Sequence, residues 1–280
     1  LRALMVGGAL SLFGGWIGLW TFIPGEAPPG GGRRWQRTKL ASALILGAAS
    51  LAFLLTHTAI IAGSVTPATL RLTVTQTRLG QALLARMLGT LVLVLLVLWR
   101  QRPAWSTWIG VIVSAGVVLT FSIAGHAAGQ AAPVVPILAD WMHMLAAGAW
   151  IGGLAHFIVL LPQWRAATEP AMQIDRLARV IERFSRLALV SVVALTVTGT
   201  YSALRSIPQL AALWQTSYGQ ALLVKLLLFG GLIILGAYNL LVVRPHFGRL
   251  ATTLVSLTEA RPWISRFFRI LIGEGGLALG

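Results

Sequence analysis

The sequence predicts an all-α polytopic membrane protein, a single transmembrane domain over residues 1–280 with about eight helices arranged as two parallel four-helix repeats. Three observations predict it. Apolar residues make up 57% of the chain and charged ones 10%, against about 25% charged in a soluble domain, so there is too little polar surface to coat a globule in water. Apolar runs of the length a spanning helix needs, about 20 residues, follow one another along the chain. Two short motifs also recur, in the same order, in the two halves.

In order, the spans read 4–24, 40–62, 81–99, 104–125, 137–161, 185–204, 219–243 and 266–280, the last incomplete. Breakers separate them: Pro24 to Gly32 (PGEAPPGGG), Pro103, Pro133 and Pro136, Pro162, Pro208 and Pro245. No strand pattern appears, and an open sheet in lipid would leave backbone groups without partners. The chain begins at Leu1 rather than Met and ends inside an apolar run. Both ends therefore read as cut from a longer protein.

Charge orients the spans. The first, third, fifth and seventh loops carry Arg33, Arg34, Arg37 and Lys39; Arg100 and Arg102; Arg165, Arg176, Arg179, Arg183 and Arg186; and Arg244, Arg249, Arg261, Arg266 and Arg269. The other side has Arg2, Arg71, Arg78 and Arg205. Basic residues collect on the cytoplasmic side, so the N-terminus faces out and the loop after span 4 is external. Topology thus accounts for the excess of 22 Lys+Arg over 7 Asp+Glu, and nucleic-acid binding is excluded. The partner is the lipid of an inner membrane. Without Cys there is no disulfide and no thiolate site.

The repeat rests on residues 77–88 (TRLGQALLARML) and 216–227 (TSYGQALLVKLL), which share seven of twelve positions and align Arg86 with Lys225. Gly14-Gly-Trp-Ile-Gly18 likewise aligns with Gly148-Ala-Trp-Ile-Gly152. Repeat one then covers about 1–125 and repeat two about 137–280. Four spans per half give both halves one orientation, and transporters built this way place substrate between them.

Ionisable residues at membrane depth are costly and point to function. Here His57, His126, Asp140 and His143 fall near the outer ends of spans 2, 4 and 5, with Arg86 and Lys225 slightly deeper. Residues three and four apart share a helix face, so Asp140, His143 and Met144 point one way. Imidazole suits Cu(II) and thioether favours Cu(I), which makes the set a copper site. Trp150 lies one heptad below His143, either closing a route below it or packing. His156 lies late in span 5 toward the inner side, His246 in a basic inner loop, and Glu274 in span 8. Gly199, Thr200 and Asn239 read as helix-packing positions. Two further readings stay open: a b-type cytochrome with His57 paired to His126 or His143 across a haem, and a copper-loading assembly factor without a pathway of its own. No catalytic motif is present, and the chain reads as a non-enzyme.

Several stretches resemble the copper resistance D family of bacterial membrane proteins: Gly125-His126-Ala127-Ala128, Asp140 through Gly153 (DWMHMLAAGAWIGG), Thr216 through Lys225 (TSYGQALLVK) and Gly236-Ala-Tyr-Asn239. The match is closer over spans 3–8 than over spans 1 and 2. It implies an eight-span protein of copper uptake or resistance working with a periplasmic carrier of the copper resistance C type. Some relatives carry that carrier fused ahead of span 1, and an external N-terminus suits such a fusion. His126 and His143 match family positions.

The cysteine-free chain makes the sidedness directly testable. A single Ser64→Cys is expected to react with a membrane-impermeant maleimide in spheroplasts, and Thr168→Cys only after permeabilisation. The reverse pattern would invert the topology.

Overall fold

The computed structural model describes residues 1–21, 31–99, 103, 105–129, 132–166, 170–206, 209, 211–238 and 241. The helices among them are α1 (Arg2–Thr21), α2 (Gly31–Ala62), α3 (Pro67–Gln76), α4 (Arg78–Leu98), α5 (Trp105–Ile123), α6 (Val134–Ala147), α7 (Gly153–Ala166), α8 (Pro170–Ser206), α9 (Ala212–Gln215) and α10 (Ser217–Tyr238). A 3₁₀ turn, His126–Gly129, precedes α6, and a π-helical turn, Gly148–Gly152, joins α6 to α7. Among the described residues, seven helical stretches are long and apolar enough to cross a membrane, the last two being Arg179–Ser206 and Gly219–Tyr238. They correspond in order to the first seven expected spans. The eighth, with Glu274, and also Asn239 and His246, lie outside the described residues.

Contacts divide the chain into two compact units: Leu1–Leu19 with Trp35–Gly153, and Trp20–Arg34 with Leu154–Gly280. In the first, α1 is the central helix and buries Met5, Ala9, Leu12, Phe13 and Trp16. Its small residues let neighbours approach. Gly8 faces Leu46 and Ser42 of α2, where the Ser11 and Ser42 hydroxyls are 2.8 Å apart, and Trp35 Nε1 donates to the Gly15 carbonyl at 2.8 Å. The ring of Trp16 lies on Gly110 of α5, where a Cβ would collide with the indole. Gly14 meets the backbone of Gly152 and Gly153, and Gly152 meets the Leu10 carbonyl, so neither position has room for a side chain. The two repeat-related glycine motifs therefore lie against each other.

Lys39, assigned by sequence to a loop, sits instead in the third turn of α2, where it is 0% exposed with its ammonium 3.7 Å from the Trp16 ring centroid. The indole face attracts the cation electrostatically. The loop arginines Arg33, Arg34 and Arg37 likewise stand on the first turns of α2, and Arg176, Arg179, Arg183 and Arg186 on α8. The 37 residues of α8 extend about 55 Å. That exceeds the ~30 Å hydrocarbon core, so a continuous helix carries these cations where the sequence suggested a loop.

Two short helices were not anticipated. In α3, Thr66 accepts from the Thr69 amide while the Thr69 hydroxyl accepts from the Thr66 amide, with Pro67 at the first helical position. Thr77 then caps α4: its hydroxyl accepts from Gly80 N at 2.9 Å and donates to the Thr73 carbonyl at 2.7 Å, while Gln81 Nε2 donates to Thr75 O at 2.9 Å. In the second unit the same bonds recur after α9. Thr216 accepts from Gly219 N at 3.0 Å and donates to Ala212 O at 2.7 Å, and Gln220 Nε2 donates to Trp214 O at 3.1 Å. Gly80 and Gly219 are required at equivalent points, because a Cβ would strike the Thr73 or Ala212 carbonyl. The sequence identity at these twelve positions thus encodes one local structure made twice.

In the second unit, Phe157 of α7 stacks on Phe184 of α8 with centroids 6.2 Å apart. Val180, Ile181, Leu154 and Leu160 are buried there as well.

Gly152→Leu is expected to lower the detergent-solubilised melting temperature sharply, because the new side chain must part α1 from the π turn. Gly7→Ala, which meets nothing within 4 Å, should leave it unchanged. Equal melting of the two variants would refute the close crossing.

Candidate functional site

One end of the first unit gathers the residues singled out by sequence. The C-terminal end of α2, α3, the start of α4, the end of α5 and the start of α6 meet there through short connections. His57, five residues before the end of α2, is half-buried and stacks on Phe53 one turn earlier, with ring centroids 6.2 Å apart and planes within 6°. The next residue, Thr58, donates to Thr73 at 3.2 Å and so ties α3 across this end of the unit. His126 opens the 3₁₀ turn after α5; its side chain lies outside the described atoms.

Asp140, His143 and Met144 stand on one face of the uninterrupted helix α6 and are all partly exposed. The adjoining Trp141 anchors that helix, its Nε1 donating to the Ala115 carbonyl of α5 at 2.9 Å. Ala115 is eight residues before the end of α5, so the α6 cluster is set in from the His126 turn by about 10 Å. The sequence suggests one depth for the three histidines; the anchoring by Trp141 staggers them. Among the described residues, no three His, Asp or Glu side chains group closely enough to hold a metal ion.

The supporting residues divide. Trp150 is buried within the π turn itself, so it does not continue the His143 face as a regular heptad would. His156 is fully buried in α7 of the second unit. Lys225 is exposed on α10.

Arg86 is enclosed within the first unit. It is 2% exposed in the core of the first unit, where Nε donates to Thr120 Oγ1 at 2.9 Å and Nη1 to the Met5 sulfur at 3.4 Å. Its guanidinium lies 3.5 Å from the Phe121 ring centroid. Every group touching this cation is neutral, and no described carboxylate pairs with it. Thr120 in turn donates to the Val117 carbonyl at 2.6 Å, and Thr90 to the Arg86 carbonyl at 2.7 Å. Sequence reasoning placed Arg86 correctly in span 3 but left its surroundings open, since Met5 is 81 residues away and in no motif.

Comparison with known proteins follows these features. Residues 1–134 match the family described as "Copper resistance protein D-like, N-terminal domain", and residues 178–280 the family described as "Copper resistance protein D". The first match covers spans 1 and 2, where the motifs were sparse. The chain is 31% identical over 180 residues to the Copper resistance protein D of Pseudomonas syringae pv. tomato, covering 63% of this chain and 57% of that protein. It is 35% identical over 130 residues to the Copper transport protein CutJ of Bacillus subtilis, covering 46% of this chain and 23% of that one. The chain thus spans less than two thirds of either curated relative. No solved structure matches it.

Thr120→Val removes the oxygen that accepts from Arg86 and leaves a charged donor buried without it. A loss of about 1–3 kcal/mol in unfolding free energy is expected, measurable by denaturant titration in detergent; no loss would show that the Thr120 bond contributes nothing.

Proposed function

The chain belongs to the copper resistance protein D family, and from that premise we propose that it carries copper inward across the bacterial inner membrane, with its N-terminus outside, as part of copper homeostasis and resistance. The observation that carries this reading is the Asp140, His143 and Met144 face of α6: a carboxylate, an imidazole and a thioether, all partly exposed on a membrane helix. Such a set has no packing value in lipid, where polar side chains are costly, and its mixture of hard and soft donors accepts copper in either oxidation state.

Copper is the cargo here. His57 and His126, at the end of the unit, receive the ion at the outer surface. Asp140, His143 and Met144 take it one stage further in, and the staggered depth makes a relay of what would otherwise be one tight shell. A site without thiolate releases copper more readily than one with it, which suits passage. Trp150 and Arg86 support the site from within the first unit, and His156 and Lys225 are the supporting residues of the second. The delivering partner is a periplasmic copper carrier of the copper resistance C type, separate or fused. The names of both relatives and the two family matches support copper as the substrate.

Whole-cell copper accumulation tests the role of His143. His143→Ala, expressed at the wild-type level, is expected to reduce uptake to near that of cells lacking the protein, while Met142→Ala, on the lipid-exposed side of α6, leaves it unchanged. Normal uptake by the His143 variant would remove His143 from the pathway.

A further inference from the structure

We propose that Arg86 sets the charge selectivity of the α6 site, favouring monovalent over divalent metal ions; the inference rests on the copper-site reading above. The guanidinium is held in the core of the first unit by a hydroxyl, a thioether and an aromatic face, and is not neutralised by any described carboxylate. A charge paired with a carboxylate looks like a weak dipole from a distance. An unpaired one retains its full field, and low-dielectric surroundings screen that field poorly.

Its distance from the α6 cluster follows from two bonds to the same helix. Arg86 bonds to Thr120 of α5, and Trp141 bonds to Ala115 of α5. Five residues of helix and one interhelical spacing separate the two points, on the order of 12 Å. At that distance and an effective dielectric constant of about 20, each unit of charge on a bound ion is opposed by roughly a tenfold factor in affinity. A divalent ion is opposed twice over. Arg86 therefore raises the preference for a monovalent ion by about tenfold relative to the same ligands without it. Asp140 attracts ions of both charges, and more strongly the divalent one, so the cation offsets a bias that the carboxylate alone would impose. The same geometry removes Met5 from the copper ligands, because its sulfur already accepts from Arg86. Arg86 acts at a distance and is thus a specificity-determining residue with no contact to the ion.

Affinities of Ag(I), a redox-inert monovalent probe, and of Cu(II) would be measured for the full chain in nanodiscs. Arg86→Gln is expected to tighten both, Cu(II) more, so that the Ag(I)/Cu(II) affinity ratio falls about tenfold; Arg86→Lys keeps the ratio. Met5→Glu provides an independent test, since a carboxylate beside Nη1 neutralises the charge while Arg86 remains, and it should lower the ratio in the same way. An unchanged ratio in folded Arg86→Gln or Met5→Glu protein overturns the inference while leaving the copper site standing. Failure of the wild-type chain to bind either ion overturns the copper-site reading and this inference with it.

Discussion

The first unit is organised around the place where α1 passes the π turn at backbone distance. Gly14 and Gly152 leave no room for side chains there, and Gly148 leaves little. Hydrocarbon supplies little hydrophobic drive for one helix to prefer another over lipid, so close packing of small residues carries the association. With α1 drawn in, its other faces bring together what the unit needs. Trp16 lies over Gly110 and beneath the Lys39 ammonium, and Met5 reaches the guanidinium of Arg86. The π turn belongs to the same constraint, since a widened turn shifts the helical register between α6 and α7 and brings the glycines to face α1.

That architecture handles buried charge in two ways. Lys39 lies over an indole face and Arg86 over a phenyl face, so aromatic rings attract both cations electrostatically. Arg86 gains a hydroxyl and a thioether besides. Arg86, which no described carboxylate pairs, keeps a long-range field, and on the proposal above that field reaches the partly exposed Asp140, His143 and Met144 face. In this account the metal chemistry of α6 and the packing of α1 are linked through one residue.

Much of this was legible in the sequence, and the reasons differ by feature. The first seven spans follow from apolar length alone. The twelve-residue repeat was visible as identity, and its cause is local: threonine caps, glutamine bonds to a preceding carbonyl, and glycine avoids that turn's backbone. Local causes leave local signatures. The short helices α3 and α9 escaped because each is too short for an apolar period, although Thr66-Pro67 offered a start signal. Lys39 read as a loop residue and Arg86 as a span residue of open surroundings, because their partners Trp16, Thr120 and Met5 are distant in sequence. The stagger between the His126 turn and His143 was equally hidden, since it depends on one bond from Trp141 to α5.

The central claim is that the histidines at this end of the first unit hold copper, and metal stoichiometry tests it most directly. The full chain would be purified, loaded with copper, desalted, and its metal content determined beside that of a His126→Ala/His143→Ala double variant of equal fold. The account predicts bound copper in the wild type, lost in the double variant, with no Soret band in either. Equal copper in the two proteins would contradict it.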